Sequence, residues 1–319
     1  MKKLNMVSVL TVAVVMMVSS GCGPSTEAPA EAVVEEQDPL EAVACTNFKW
    51  VDHPGVANRA AMIVPVIAGG ATLGFQLDTG AEVSMIPGGS AKKHHIEIFH
   101  NDANGKTFTA PLDLELVGAH YPGREILVLP EIARTEPAGT IGLDLLVGKV
   151  VVLDLPYMRF CVSEPDAPEV STLLEKTEFT TARLRDGKLF VEARLGEESL
   201  DGLLFNTGAS AFPLQVDLGL WQQLTGRNGD EDSNTLWEVT TRGESVTFVG
   251  APARGKLQIG QVGLDVPMVF FQQDRASSFT EWPIPIRGLL GNALFFEHAI
   301  VLDLRAESPR FGILPGRIP

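Results

Sequence analysis

Positive charge is in short supply in this chain. Its 319 residues carry 25 Lys and Arg against 40 Asp and Glu, a formal net charge of −15. No basic footprint is left for a phosphate backbone, so no nucleic-acid partner is expected. The same acidity serves solubility. Long apolar runs are also scarce: the one near the start, residues 4–18, is too short for a comfortable membrane span. Sustained helical periodicity is scarce too, and short stretches such as 215–224 are the best helical candidates. The pattern of a nucleophile elbow is missing, and no Ser-His-Asp arrangement can be read. Gly69-Gly70 and Gly88-Gly89 lack the Lys and the helix that a phosphate cradle needs. His94, His95 and His100 stand in a polar stretch with no matching acid or cysteine pattern, which reads as a solvated loop. No metal and no cofactor is expected. Cysteine is limited to Cys22, Cys45 and Cys161, an odd number.

The amino terminus has the pattern of a targeting segment, with Lys2 and Lys3 ahead of the apolar run. Ser19-Ser20-Gly21-Cys22 follows and resembles the cleavage box of bacterial lipoproteins, with Ser19 where that family prefers Leu. The resemblance implies a signal peptide over 1–21 and a lipidated Cys22. Gly23 rather than Asp comes next, which implies a bacterial cell-envelope location, on the outer membrane and facing the periplasm. An ordinary secretory signal and an uncleaved anchor are the alternatives. Lipidation would leave Cys45 and Cys161 as a pair in an oxidising compartment, or as two small unpaired hydrophobes. Residues 22–45 are rich in Pro, Ala and Glu without Lys or Arg, and read as a disordered acidic tether.

The rest is long enough for two lobes and, at 45% hydrophobic, for a sizeable core. Short β-patterned runs are separated by turn signals. Residues 60–67 and 71–77 read as strands around Gly69-Gly70, and the second runs into Asp78-Thr79-Gly80-Ala81. Asn104-Gly105 marks a hairpin, and so do Asp186-Gly187 and Arg242-Gly243. Pro165, Asp166 and Pro168 mark a boundary, after which the pattern restarts.

That restart is an internal repeat. Residues 203–205 run into Asn206-Thr207-Gly208-Ala209, as 75–77 run into Asp78-Thr79-Gly80-Ala81. Gly142-Leu143-Asp144 aligns with Gly291-Asn292-Ala293, and Leu153-Asp154-Leu155 with Leu302-Asp303-Leu304, both 149 residues apart. The first pair of motifs is 128 residues apart, so the second half carries extra residues between its anchors. A strand into Asp-Thr-Gly-Ala, a hairpin, then Ile141-Gly142-Leu143-Asp144-Leu145 resembles the aspartic peptidases, in particular the retropepsin-like branch. Two such halves resemble the bilobal, pepsin-type arrangement over about residues 58–316. The resemblance implies an all-β fold of two duplicated lobes with a cleft between them. The expected organisation is 46–163 as the first lobe, 164–176 as linker and 177–319 as the second lobe.

In that family two carboxylates face each other and share a proton, one acting as base and one as acid. The resemblance makes Asp78 one member and places Asn206 where the second should be. Thr79 and Thr207 would brace the two loops, while Gly80 and Gly208 allow close approach. Gly142 and Gly291 would pack behind them. The implied ligand is an extended peptide or protein added strand-wise, under hairpins carrying Phe108, Trp237 and Phe248. An amide cannot take and return a proton at useful pH, so hydrolysis through Asp78 and Asn206 should be weak or absent. Three readings stand open: a weak peptidase working through Asp78, a peptide-binding pseudopeptidase without turnover, and a structural envelope lipoprotein.

Overall fold

The structure, a computed structural model, describes residues 38–53, 57–130, 137–241, 244–275, 279 and 284–314. The expected signal peptide, Cys22 and the Arg242-Gly243 turn lie outside the described residues. Among the described residues strand dominates, with three short α-helices.

Alternation of side chains makes the first strands. In Ala57–Ala68, Met62, Val64 and Val66 are buried, while Ala61, Ile63 and Pro65 on the other face are half-buried. Gly69 and Gly70 both take the left-handed conformation and turn the chain back into Ala71–Leu77. Leu73, Phe75 and Leu77 of that strand join the same core, and the strand stops at Asp78. Around this pair a ten-stranded sheet forms from the first half, with Lys49–His53 added beside Ala57–Ala68.

The two halves meet in a thirteen-stranded sheet. Val150–Asp154 from the first half pairs antiparallel with Ala299–Asp303 from the second. Val152 lies opposite Val301, the residue 149 positions on, so the repeat folds onto itself about an approximate twofold at that rung. Both strands are buried at every position, which is why their sequences are unbroken apolar runs up to a terminal Asp. Those two aspartates are structural. Asp154 is fully buried and paired with Arg159. Asp303 is fully buried and paired with Arg305 and Arg310. Burial alone would raise the Asp303 carboxyl, yet the two guanidiniums hold it below the usual value.

Two expectations need correction. The tether does not extend to 45: Leu40 and Val43 are 1% and 6% exposed and pack under the joining sheet with Val150, Val301 and Leu314. A composition rich in Ala and Glu concealed two apolar residues three apart, which is enough to dock a short segment. The 164–176 segment is not a bare linker either. Pro168–Lys176 is a helix with Pro168 at its first turn, where a missing N–H costs nothing, and Val170 and Leu173 cover the same sheet face. Cys45–Asn47 pairs with Arg159–Ser163, Cys45 stands opposite Cys161, and the two are joined by a disulfide. The bridge closes a span of 116 residues.

Candidate functional site

Two equivalent strands deliver the site. Ala71–Leu77 runs into Asp78 and pairs in parallel with Gly139–Ile141. Leu203–Phe205 runs into Asn206 and pairs in parallel with Gly288–Leu290. Behind the two turns, glycine is required by contact. A Cβ at Gly142 would stand 2.7 Å from the Val83 carbonyl carbon, and one at Gly291 would stand 2.3 Å from the Ala209 and Phe212 oxygens.

The two loops are tied by four bonds. Thr79 Oγ1 donates to the Phe205 carbonyl at 2.8 Å and accepts from Thr207 N–H at 3.0 Å. Thr207 Oγ1 donates to the Leu77 carbonyl at 2.9 Å and accepts from Thr79 N–H at 3.0 Å. Both threonines are fully buried. Each hydroxyl therefore satisfies two backbone groups of the opposite half that water cannot reach.

Asp78 and Asn206 face each other across this brace. A Cβ at Gly208 would lie 2.6 Å from the Asp78 carboxyl carbon, and one at Gly80 would lie 2.7 Å from the Asn206 side-chain carbon. Each functional side chain thus rests on the glycine of the other loop. Their local bonding matches as well: Asp78 Oδ1 accepts from Gly80 N–H at 2.9 Å, and Asn206 Oδ1 accepts from Gly208 N–H at 2.8 Å. Asp78, Thr79, Gly80, Asn206, Thr207 and Gly208 are thereby brought into one place, while Cys22 lies outside the described residues.

Burial pushes the Asp78 carboxyl above its ordinary value, against the N–H groups of Gly80, Ala81 and Gly208 and the charge of Lys188. A carboxyl raised on folding costs stability where it ionises, and the cost fades as pH falls through the raised value and is gone below the ordinary value of 3.8. Asp78→Asn keeps the bond to Gly80, as Asn206 does with Gly208. We therefore expect D78N to melt higher than the natural chain at neutral pH and level with it at pH 3; an equal or lower melting temperature at pH 7 contradicts this.

Outer polar groups support the loops. Asp144 Oδ1 accepts from Ser84 N–H at 2.8 Å and from Ser84 Oγ at 2.7 Å, and that Oγ accepts from Gly142 N–H at 3.0 Å. In the second half Asn292 donates to Ser210 Oγ at 2.8 Å. A groove of about 1010 Å³ runs between Lys49–His53, with the face of Ile63, Pro65 and Gln76, and the 208–212 loop. Neither Asp78 nor Asn206 is among its lining residues. Trp237 and Phe248, two aromatics read from sequence as flap residues, pack on Phe212 at 5.4 and 4.7 Å. Trp237 also lies 4.5 Å from Phe270, so the hairpin of Thr235–Thr241 and Glu244–Ala251 is anchored beside the loop that follows Asn206.

One residue went unread in the sequence. The Asp186-Gly187 turn reaches the opposite half: Lys188 Nζ donates to the Gly80 carbonyl at 3.5 Å, and a Cβ at Gly187 would lie 2.2 Å from Glu82 Cγ. Asp-Gly signals the turn but not what the turn meets.

No family model matches the chain, and no curated protein matches it. Solved structures similar to it include conglutin gamma, a basic 7S globulin from lupine seeds, at 9% identity and a TM-score of 0.49, over 86% of this chain and 96% of that one. Basic 7S globulin from soybean is 11% identical with a TM-score of 0.47, over 86% of this chain and 95% of that one.

Proposed function

We propose that this chain engages extended peptides in a pepsin-type cleft over Asp78 and Asn206, with hydrolysis weak or absent. The observation that carries this reading is the braced pair itself: one carboxylate and one amide, each seated against the glycine of the other loop. Such rigidity suits a site in which reacting or binding groups must be held in place. A carboxylate here can accept a proton or a hydrogen bond, and the facing amide can donate one or accept one. The amide cannot exchange a proton, so the acid half of the acid–base cycle has no side chain at position 206. Binding then outlives turnover. The test is a peptide library offered to the natural chain and to D78N, read for binding and for cleavage. Peptides retained by the natural chain and released by D78N support the reading. Retention unchanged in D78N places the binding elsewhere.

We further propose that the protein is held on the bacterial envelope by a lipid on Cys22, on the outer membrane and facing the periplasm. The support is the Ser19-Ser20-Gly21-Cys22 box with Gly23 after it. Incorporation of labelled fatty acid in a bacterial host should be lost in Cys22→Ala; label retained by C22A would end this proposal.

A further inference from the structure

The two halves of the site are not equivalent one rung away from the facing pair. In the first half the strand ladder pairs Ile63 with Gln76, and the same register two residues on brings Ala61 level with Asp78. In the second half the ladder pairs Phe190 with Leu204, and the same step brings Lys188 level with Asn206. The half that presents the carboxylate has a methyl group at this position. The half that presents the amide has an ammonium.

Three features hold that ammonium in place. Asp186 and Gly187 both take the left-handed conformation, at φ 48° and 64°, so the turn is a tight two-residue hairpin. Lys188 is the first residue after it and pairs with Arg185. Gly187 has no Cβ because Glu82 of the first loop fills that space. The hairpin of one half is thus seated on the site loop of the other, and Lys188 Nζ meets the Gly80 carbonyl at 3.5 Å. That peptide is the one whose neighbouring N–H holds Asp78 Oδ1.

We propose that Lys188 is a positioning residue of this site, clamping the Gly80 peptide across the two halves and supplying the positive charge that faces Asp78 in place of a second acid's proton. Among the described residues, the charged groups around Asp78 are few. Its own loop brings Glu82, the facing loop brings the neutral Asn206, and the hairpin brings Lys188, with Asp186 and Arg185 exposed beside it. In a proton-sharing pair one carboxyl stays neutral to relieve repulsion. With an amide at 206 there is no such repulsion; burial raises the Asp78 carboxyl, and the nearby ammonium offsets part of that rise. The site then sets a carboxyl beside a cation and an amide. A ligand is held by donating to Asp78, and no proton needs to move. This inference rests on the peptide-binding reading for its meaning, although its test does not.

The test follows the carboxyl carbon resonance of Asp78 through a pH titration of the full-length labelled chain, assigned by its loss in D78N and read with no peptide present. Lys188→Met and Lys188→Gln should both shift the Asp78 midpoint upward, and Lys188→Arg should leave it near that of the natural chain. Gln keeps a donor for the Gly80 carbonyl, so it separates the charge from the clamp and still decides the question if K188M does not fold. A midpoint unmoved in a folded K188M or K188Q overturns the proposal, because a merely structural lysine would leave it there. Failure of peptide binding would leave this titration unaffected, and an unmoved midpoint would leave the peptide reading standing.

Discussion

Asn206→Asp should raise peptide hydrolysis by about 10²–10⁴-fold over the natural chain, with the gain greatest at acid pH. The position is already shaped for a carboxylate. Asn206 Oδ1 accepts from Gly208 N–H at 2.8 Å, as Asp78 Oδ1 does from Gly80 N–H at 2.9 Å. Asp and Asn have the same shape, so nothing needs to repack. What changes is proton chemistry. Two carboxyls over the same brace cannot both ionise comfortably, and their titrations split into two steps that belong to the pair. Between those steps one acid and one base coexist, which acyl cleavage by activated water requires. The double variant D78N/N206D should lose the gain again, which separates a restored dyad from a contaminating peptidase. An N206D chain that binds peptides and cleaves none would show that the cleft, and not only the dyad, lacks what turnover needs.

Thr79→Val should destabilise the fold by about 2–6 kcal/mol, and Thr207→Val by a similar amount. Valine keeps the shape and removes the oxygen. At Thr79 this strands the Phe205 carbonyl and the Thr207 N–H, and at Thr207 the Leu77 carbonyl and the Thr79 N–H. All of these lie at fully buried threonines. A buried backbone group left unpaired costs about 1–3 kcal/mol, and each substitution leaves two. Serine retains the hydroxyl, so T79S should lose far less. Denaturant midpoints of T79V, T207V and T79S give the comparison. The double valine variant should cost less than the sum, because the first change already loosens the loops that the second would have braced. A T79V chain within about 1 kcal/mol of the natural one would mean the four bonds do not hold the site together.

The site's centre was legible because its determinants are local and repeated. A strand ending in Asp78-Thr79-Gly80 and another ending in Asn206-Thr207-Gly208 state where both side chains stand, and the 149-residue spacing of Asp154 and Asp303 marks the strands that join the halves. What the sequence could not show is which element meets which. Asp186-Gly187 reads as a turn, yet only the assembled fold sets it on Glu82 and brings Lys188 to the Gly80 carbonyl. Trp237 and Phe248 were visible as aromatics on a hairpin, but their packing on Phe212 and Phe270 depends on contacts far apart in the chain. Leu40 and Val43 were hidden by their neighbours, since average composition over a window dilutes two residues that fit one sheet face. Pro168 reads as a breaker and instead begins a helix, because at the first turn its missing N–H has no partner to lose.

Peptide binding over Asp78 and Asn206 is tested by retention of peptides from a diverse library by the natural chain and by D78N, with cleavage followed in the same samples from acid to neutral pH. The natural chain should retain extended peptides and cleave them slowly or not at all, and D78N should lose them. Rapid cleavage by the natural chain that D78N abolishes would contradict this, since Asn206 would then be taking part in a proton cycle that an amide cannot run.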